Sequence, residues 1–101
     1  MRQTKDFISY PALAAFTRLG ERIRIARKAR KLTLSQLEQK TRIHRTTLGR
    51  LERGDVGVSL GVFLSVLEAL NQLSDAELIL SKPELLQHRR VSSPPVLDQD
   101  F

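Results

Sequence analysis

The chain has 101 residues, no cysteine and a formal net charge of +6. That length holds one small domain with tails, and the missing thiols exclude disulfides, thiolate metal sites and cysteine nucleophiles. No apolar run approaches the roughly 20 residues of a membrane span, and Met1-Arg2-Gln3 opens no signal-peptide pattern, so a soluble, cytoplasmic protein is expected.

Residues 1–16 are expected to form an N-terminal extension, 17–81 the domain and 82–101 a tail. The first ten residues mix charge, polarity and aromatics without a period. Pro11 can open a helix at its first position, and Ala12-Leu13-Ala14-Ala15-Phe16 is a good helix former. Phe16, Leu19, Ile23 and Ala26 then follow at helical spacing on one face. Gly20 interrupts them, so residues 11–31 predict one helix, or two with a bend. The opposite face holds Arg18, Arg22, Arg24, Arg27, Lys28 and Lys31, cations for solvent or for phosphate.

Residues 34–54, LSQLEQKTRIHRTTLGRLERG, predict two short helices joined by a tight turn. Thr33 can cap the first, with Gln36 at the reciprocal capping-box spacing. Leu34, Leu37 and Glu38 mark its inner edge, and it ends near Thr41. A second helix can start near His44, with Ile43, Leu48 and Leu51 as a narrow inward stripe. Gly54 suits the position just past its end, and Arg53 suits the negative end of its dipole. A short helix-turn-helix is a way to present one helix to the major groove of DNA.

Asp55-Val56-Gly57-Val58 reads as a loop, and Ser59 as the cap of a helix running to about Leu70. Leu60, Phe63, Leu64, Leu67 and Leu70 give that helix one apolar face, while Val62, Val66 and Ala69 give a second. The second face is expected to be covered by the N-terminal extension or by another chain. Ser74 and Glu77 have capping-box spacing and predict a short helix through about Ser81, with Leu78, Ile79 and Leu80 available to a dimer partner. Lys82-Pro83 ends it. From about Gln87 the composition is that of a tail, and Pro94-Pro95 favours extended geometry. Its apolar Val96, Leu97 and Phe101 leave two readings, a disordered end or a segment that orders on a partner.

Charge is divided along the chain. Residues 18–53 carry twelve Lys/Arg against Glu21, Glu38 and Glu52, a balance of +9, whereas residues 54–101 carry three against seven acids. A basic half that contains the helix-turn-helix points to a polyanion. Little supports an enzyme: His44 and His88 lie far apart, and no pair of carboxylates has a catalytic context. Gly54-Asp55-Val56-Gly57 lacks the ending of a phosphate loop. No metal or cofactor is expected.

Leu37, Ile43, Leu48, Leu51 and Glu52-Arg53-Gly54 resemble the helix-turn-helix domain of the Cro/repressor (XRE) family. The likeness runs from Leu19-Gly20-Glu21-Arg22-Ile23 to about Leu73. It implies an all-α, five-helix, lambda-repressor-like DNA-binding domain. Two positions depart from the pattern: Glu38 replaces a small residue where the helices cross, and Arg42 replaces the usual turn glycine. Arg42 must therefore accept a positive φ or remodel the turn. Carried over by position, Arg45, Thr46 and Arg50 fall where relatives contact bases, with His44 and Thr47 within reach of phosphate or base. Thr33, Gln36 and Arg53 fall where phosphate contacts are expected. One such domain buries little surface, so a homodimer on an inverted-repeat operator is expected.

Arg53-Gly54-Asp55, Val58-Ser59-Leu60-Gly61 and the apolar helix after them resemble the antitoxins that accompany HipA-type serine/threonine kinases, the HipB-like branch. That likeness implies a repressor of its own operon that also binds and restrains a kinase toxin, in some systems with a third small protein. Two other readings stay open: a stand-alone phage- or host-type repressor, and a helix-turn-helix fold used only as a protein-interaction module.

Overall fold

A computed structural model describes residues 7–82; the expectations for the tail beyond them and for residues 1–6 lie outside the described residues. Five helices follow one another without a strand among the described residues: α1 (Tyr10–Ala29), α2 (Leu34–Thr41), α3 (Arg45–Glu52), α4 (Leu60–Ala69) and α5 (Leu73–Ala76). The all-α, Cro-like architecture expected from the sequence is the one observed.

Helix α1 is a single helix despite Gly20, and it starts one residue earlier than Pro11 implies. Ser9 is its N-cap, the Ser9 hydroxyl accepting from the Ala12 N–H at 3.2 Å, so Pro11 occupies the second helical position, where a missing N–H costs no helical hydrogen bond. Gly20 is buried where α1 crosses the end of α3. A Cβ there would lie 2.6 Å from the Leu51 carbonyl oxygen and 2.7 Å from that of Glu52. The glycine therefore serves a close backbone approach rather than a bend.

Helix α3 is held between α1 and α2, and α4 packs on α2 and carries α5. Ile23, Leu37, Leu48, Leu51, Val66, Leu67 and Leu70 form one buried cluster drawn from α1 to α4 and the α4 C-cap. Phe16 and Phe63 meet beside it, with ring centroids 6.1 Å apart and planes tilted by 60°, a favourable aromatic geometry.

Three expectations require correction. Both faces of α4 meet the chain's own core: Val66 is fully buried, and Val62, Phe63 and Ala69 pack against the same cluster. Val66 needs neither an N-terminal cover nor a second chain, while Val62 and Ala69 stay half-buried and Leu60 is 69% exposed. The Ser74–Glu77 capping box does not form. Helix α5 starts at Leu73, with Gln72 in the cap position and no side-chain cap bond, and the chain continues to Ser81 through turn-type hydrogen bonds such as Ile79 N–H to Ala76 O at 3.2 Å.

The third correction is Arg27, expected on the solvent face of α1. It is buried, and its guanidinium forms a bidentate pair with Glu52 on α3, Nε to Oε2 at 2.7 Å and Nη2 to Oε1 at 3.0 Å. Its Nη1 donates to the Leu32 carbonyl at 2.8 Å. One residue thereby ties α1, the α1–α2 turn and the C-terminal end of α3 together.

Candidate nucleic-acid interface

The geometry of α2 and α3 follows from local chemistry. Thr33 and Gln36 form the reciprocal capping box, Thr33 Oγ1 accepting from Gln36 N–H at 3.1 Å and Gln36 Oε1 from Thr33 N–H at 2.8 Å. Arg42 takes the left-handed conformation, φ 66°, as C-cap of α2, and its N–H donates to the Glu38 carbonyl. The turn is therefore kept, at the cost of about 1–2 kcal/mol of backbone strain that glycine would avoid. Thr41 steadies it, its hydroxyl accepting from the Ile43 N–H at 3.1 Å.

His44 then opens α3, Nδ1 accepting from the Thr46 N–H at 3.1 Å, which leaves the Nε2 side of the ring facing solvent as a donor. Leu48, Leu51 and Glu52 are buried, while Arg45, Thr46 and Arg53 are exposed and Thr47, Gly49 and Arg50 half-buried. Arg53 is the C-cap, and Gly54 follows with φ 79°. At Gly54 a Cβ would also strike the Thr17 Cα at 2.6 Å, so glycine is required there twice over. An eight-residue helix thus shows one polar, cationic side to solvent, on a fold that is buried behind it.

A model of the helix-turn-helix domain matches residues 18–78. The chain belongs to the helix-turn-helix domain family. The match supports an XRE-like member and, with it, a DNA-binding regulator. No curated protein and no solved structure matches the chain. No described helix is long and apolar enough to cross a membrane.

Within this helix-turn-helix domain the candidate residues fall into three groups. Thr33 and Gln36 stand at the start of α2 with their oxygens committed to the capping box, which leaves the Gln36 amide nitrogen as an outward donor. His44, Thr46 and Thr47 lie at the start of α3, Thr46 with its hydroxyl at the surface. The arginines differ from one another. Arg45 turns back to α2, Nε lying 3.3 Å from Glu38 Oε1 and Nη1 3.2 Å from Ser35 Oγ. Arg50 turns toward the following loop, Nε donating to Asp55 Oδ2 at 2.8 Å. Arg53 lies along Gly49, where a Cβ would come 3.4 Å from its Nη1.

Ser35, Glu38, Gln39, Arg42 and Arg45 line a shallow polar recess between α2 and α3. Ser35 carried no signal in the sequence, and Asp55 was legible only as part of the loop and of the antitoxin likeness, because their contacts depend on which arginine folds back onto them. Glu38 stood in the sequence on the inner edge of α2 and as a departure from the family pattern, and its partner Arg45 now gives a reason for the acid at that position.

Proposed function

We propose that the chain is a sequence-specific repressor that binds an inverted-repeat operator as a homodimer. We further propose that it serves as the antitoxin of a HipA-like serine/threonine kinase and controls its own operon. The outward side of α3 carries the DNA-reading part. Arg45, Thr46 and Arg50 stand there, in a segment with a balance of +9. Arginine can read guanine O6/N7 through two parallel N–H groups, and the threonine hydroxyl or methyl can meet either a polar edge or a thymine methyl. His44, Thr47, Thr33, Gln36 and Arg53 flank it as donors to phosphate or base.

The dimer follows from scale. A helix of eight residues is about 12 Å long, enough for a few base pairs, and specific complexes bury far more surface than one such helix supplies. The antitoxin reading rests on the likeness of Arg53-Gly54-Asp55 and Val58-Ser59-Leu60-Gly61 to the HipB-like branch. Exposed Leu60, Leu78, Ile79 and Leu80 add apolar surface for protein contacts.

Co-expression with the product of the neighbouring reading frame, followed by pull-down and by anisotropy on the chain's own promoter, tests the whole reading. A complex with a kinase and salt-dependent promoter binding are expected. Promoter binding without a complex would leave a stand-alone repressor. A protein complex without salt-dependent DNA binding would leave an interaction module. Arg45→Ala and Arg50→Ala are expected to weaken specific binding by about 1–3 kcal/mol each.

A further inference from the structure

The loop after α3 bends back onto the helix that precedes it. The Asp55 N–H donates to the Arg50 carbonyl at 3.0 Å, which carries residue 55 over the helix end. The Gly57 N–H donates to Asp55 Oδ1 at 2.8 Å, an Asx-type turn that fixes the carboxylate. The other oxygen, Oδ2, holds Arg50 Nε at 2.8 Å. A Cβ at Gly57 would lie 3.2 Å from both Arg50 Nη2 and Asp55 Oδ1, so the glycine leaves room for the guanidinium.

The two side chains are 39% and 33% exposed, and a pair that wet adds little to stability. Orientation is what it can supply. Bidentate reading of guanine needs two N–H groups in one plane aimed at O6 and N7. Asp55 sits on the Nε edge, and the Nη1–Nη2 end of the fork still has two parallel N–H groups for that purpose. A guanidinium already held in its plane loses less freedom on meeting the base than a free arginine does.

We infer that Asp55 is a positioning residue for base readout: it holds Arg50 by Nε so that the remaining edge of the guanidinium reads a guanine. The inference rests on α3 being the DNA reader. Its test uses the full chain and the duplex it prefers from a random-sequence pool. The guanine assigned to Arg50 is the one whose replacement no longer matters in Arg50→Ala. Affinity for the preferred and the replaced duplex, the salt dependence of each, and the melting temperature are measured for wild type, Asp55→Ala and Asp55→Asn.

Wild type is expected to favour the guanine duplex by roughly 5- to 150-fold. Asp55→Ala is expected to lower that ratio roughly fivefold and to bind the replaced duplex more tightly, since a negative charge has gone. Asp55→Asn keeps an oxygen for the turn and is expected to fall between them. An unchanged ratio overturns the inference: with both affinities raised, Asp55 merely neutralises Arg50, and with both lowered alongside the melting temperature, it merely braces the loop. An Arg50→Ala protein that keeps every base preference overturns it too, while leaving α3 as the reader. A wild type without preference or salt dependence removes the DNA reading itself.

Discussion

Replacing Glu52 with alanine should be among the most damaging single changes at the surface where α1 meets α3. Arg27 has three hydrogen bonds, two to the Glu52 carboxylate and one to the Leu32 carbonyl. Glu52→Ala removes two of them and leaves the cation in a site where its side chain is only 9% exposed. Breaking a buried pair from one side costs about 3–5 kcal/mol, mostly because the remaining charge stays desolvated. A small domain of this kind has a total stability near the low end of ~5–15 kcal/mol, so most of it would go. The melting temperature should fall by about 12–24 °C for the first 3 kcal/mol. Urea and thermal unfolding followed by circular dichroism would read this directly. Arg27→Met should be costly for the mirror-image reason, with the carboxylate stranded. The double variant, Arg27→Met with Glu52→Leu, should cost less than either Arg27→Met or Glu52→Leu alone, because no unpaired charge remains and the volume stays filled. A loss below about 1 kcal/mol in Glu52→Ala, or single costs that simply add in the double variant, would refute the reasoning.

Gly20→Ala should destabilise by about 1–3 kcal/mol, because the added carbon meets backbone atoms of Leu51, Glu52 and Gly54 that cannot swing away; an unchanged melting curve would show that α1 slides at no cost. Arg42→Gly should stabilise by up to about 1 kcal/mol, the relief of a φ of 66° being partly offset by glycine's greater freedom when unfolded. Equilibrium unfolding in urea would check its sign. Thr33→Ala should lower stability by about 0.5–2 kcal/mol. Its effect should not add to that of Gln36→Ala, since both belong to one capping box, and a double-mutant cycle measures the difference.

The legible parts of this fold were those governed by neighbours in sequence. Thr33 with Gln36, Ser59 before Leu60, and Gly54 after Arg53 announce helix ends through side chains that act within a turn or so, and the helices begin and stop there. Ser74 with Glu77 carries the same spacing yet caps nothing. Helix α5 begins at Leu73, which packs against the core, and that contact outweighs a local cap. Arg27 was misread for a related reason. Periodicity counts an arginine as polar wherever it falls, and only the arrival of Glu52 from 25 residues away makes its burial tolerable. The exposed side of α3 was likewise readable from Leu48 and Leu51. The loop-borne Asp55 that grips Arg50 was not, since it depends on the chain doubling back after Gly54.

These pairings also sort the basic half into two kinds of charge. Of its twelve cations, Arg24, Arg27 and Arg45 are matched to the segment's own Glu21, Glu52 and Glu38, and Arg50 to Asp55. The other eight are all exposed: Arg18, Arg22, Lys28, Arg30, Lys31, Lys40, Arg42 and Arg53. The excess of positive charge is therefore displayed, not buried. On the proposed reading, the displayed cations supply attraction that weakens with salt and is blind to sequence. Arg45 and Arg50, whose direction is set by an acid, supply discrimination. Neutralising Arg53 should then lower affinity on every duplex alike and flatten the salt dependence by about one phosphate's worth, whereas altering Glu38 or Asp55 should weaken the preference among duplexes. An acid beside a DNA-facing arginine looks wasteful if charge is all that counts. It becomes useful once the arginine has to point.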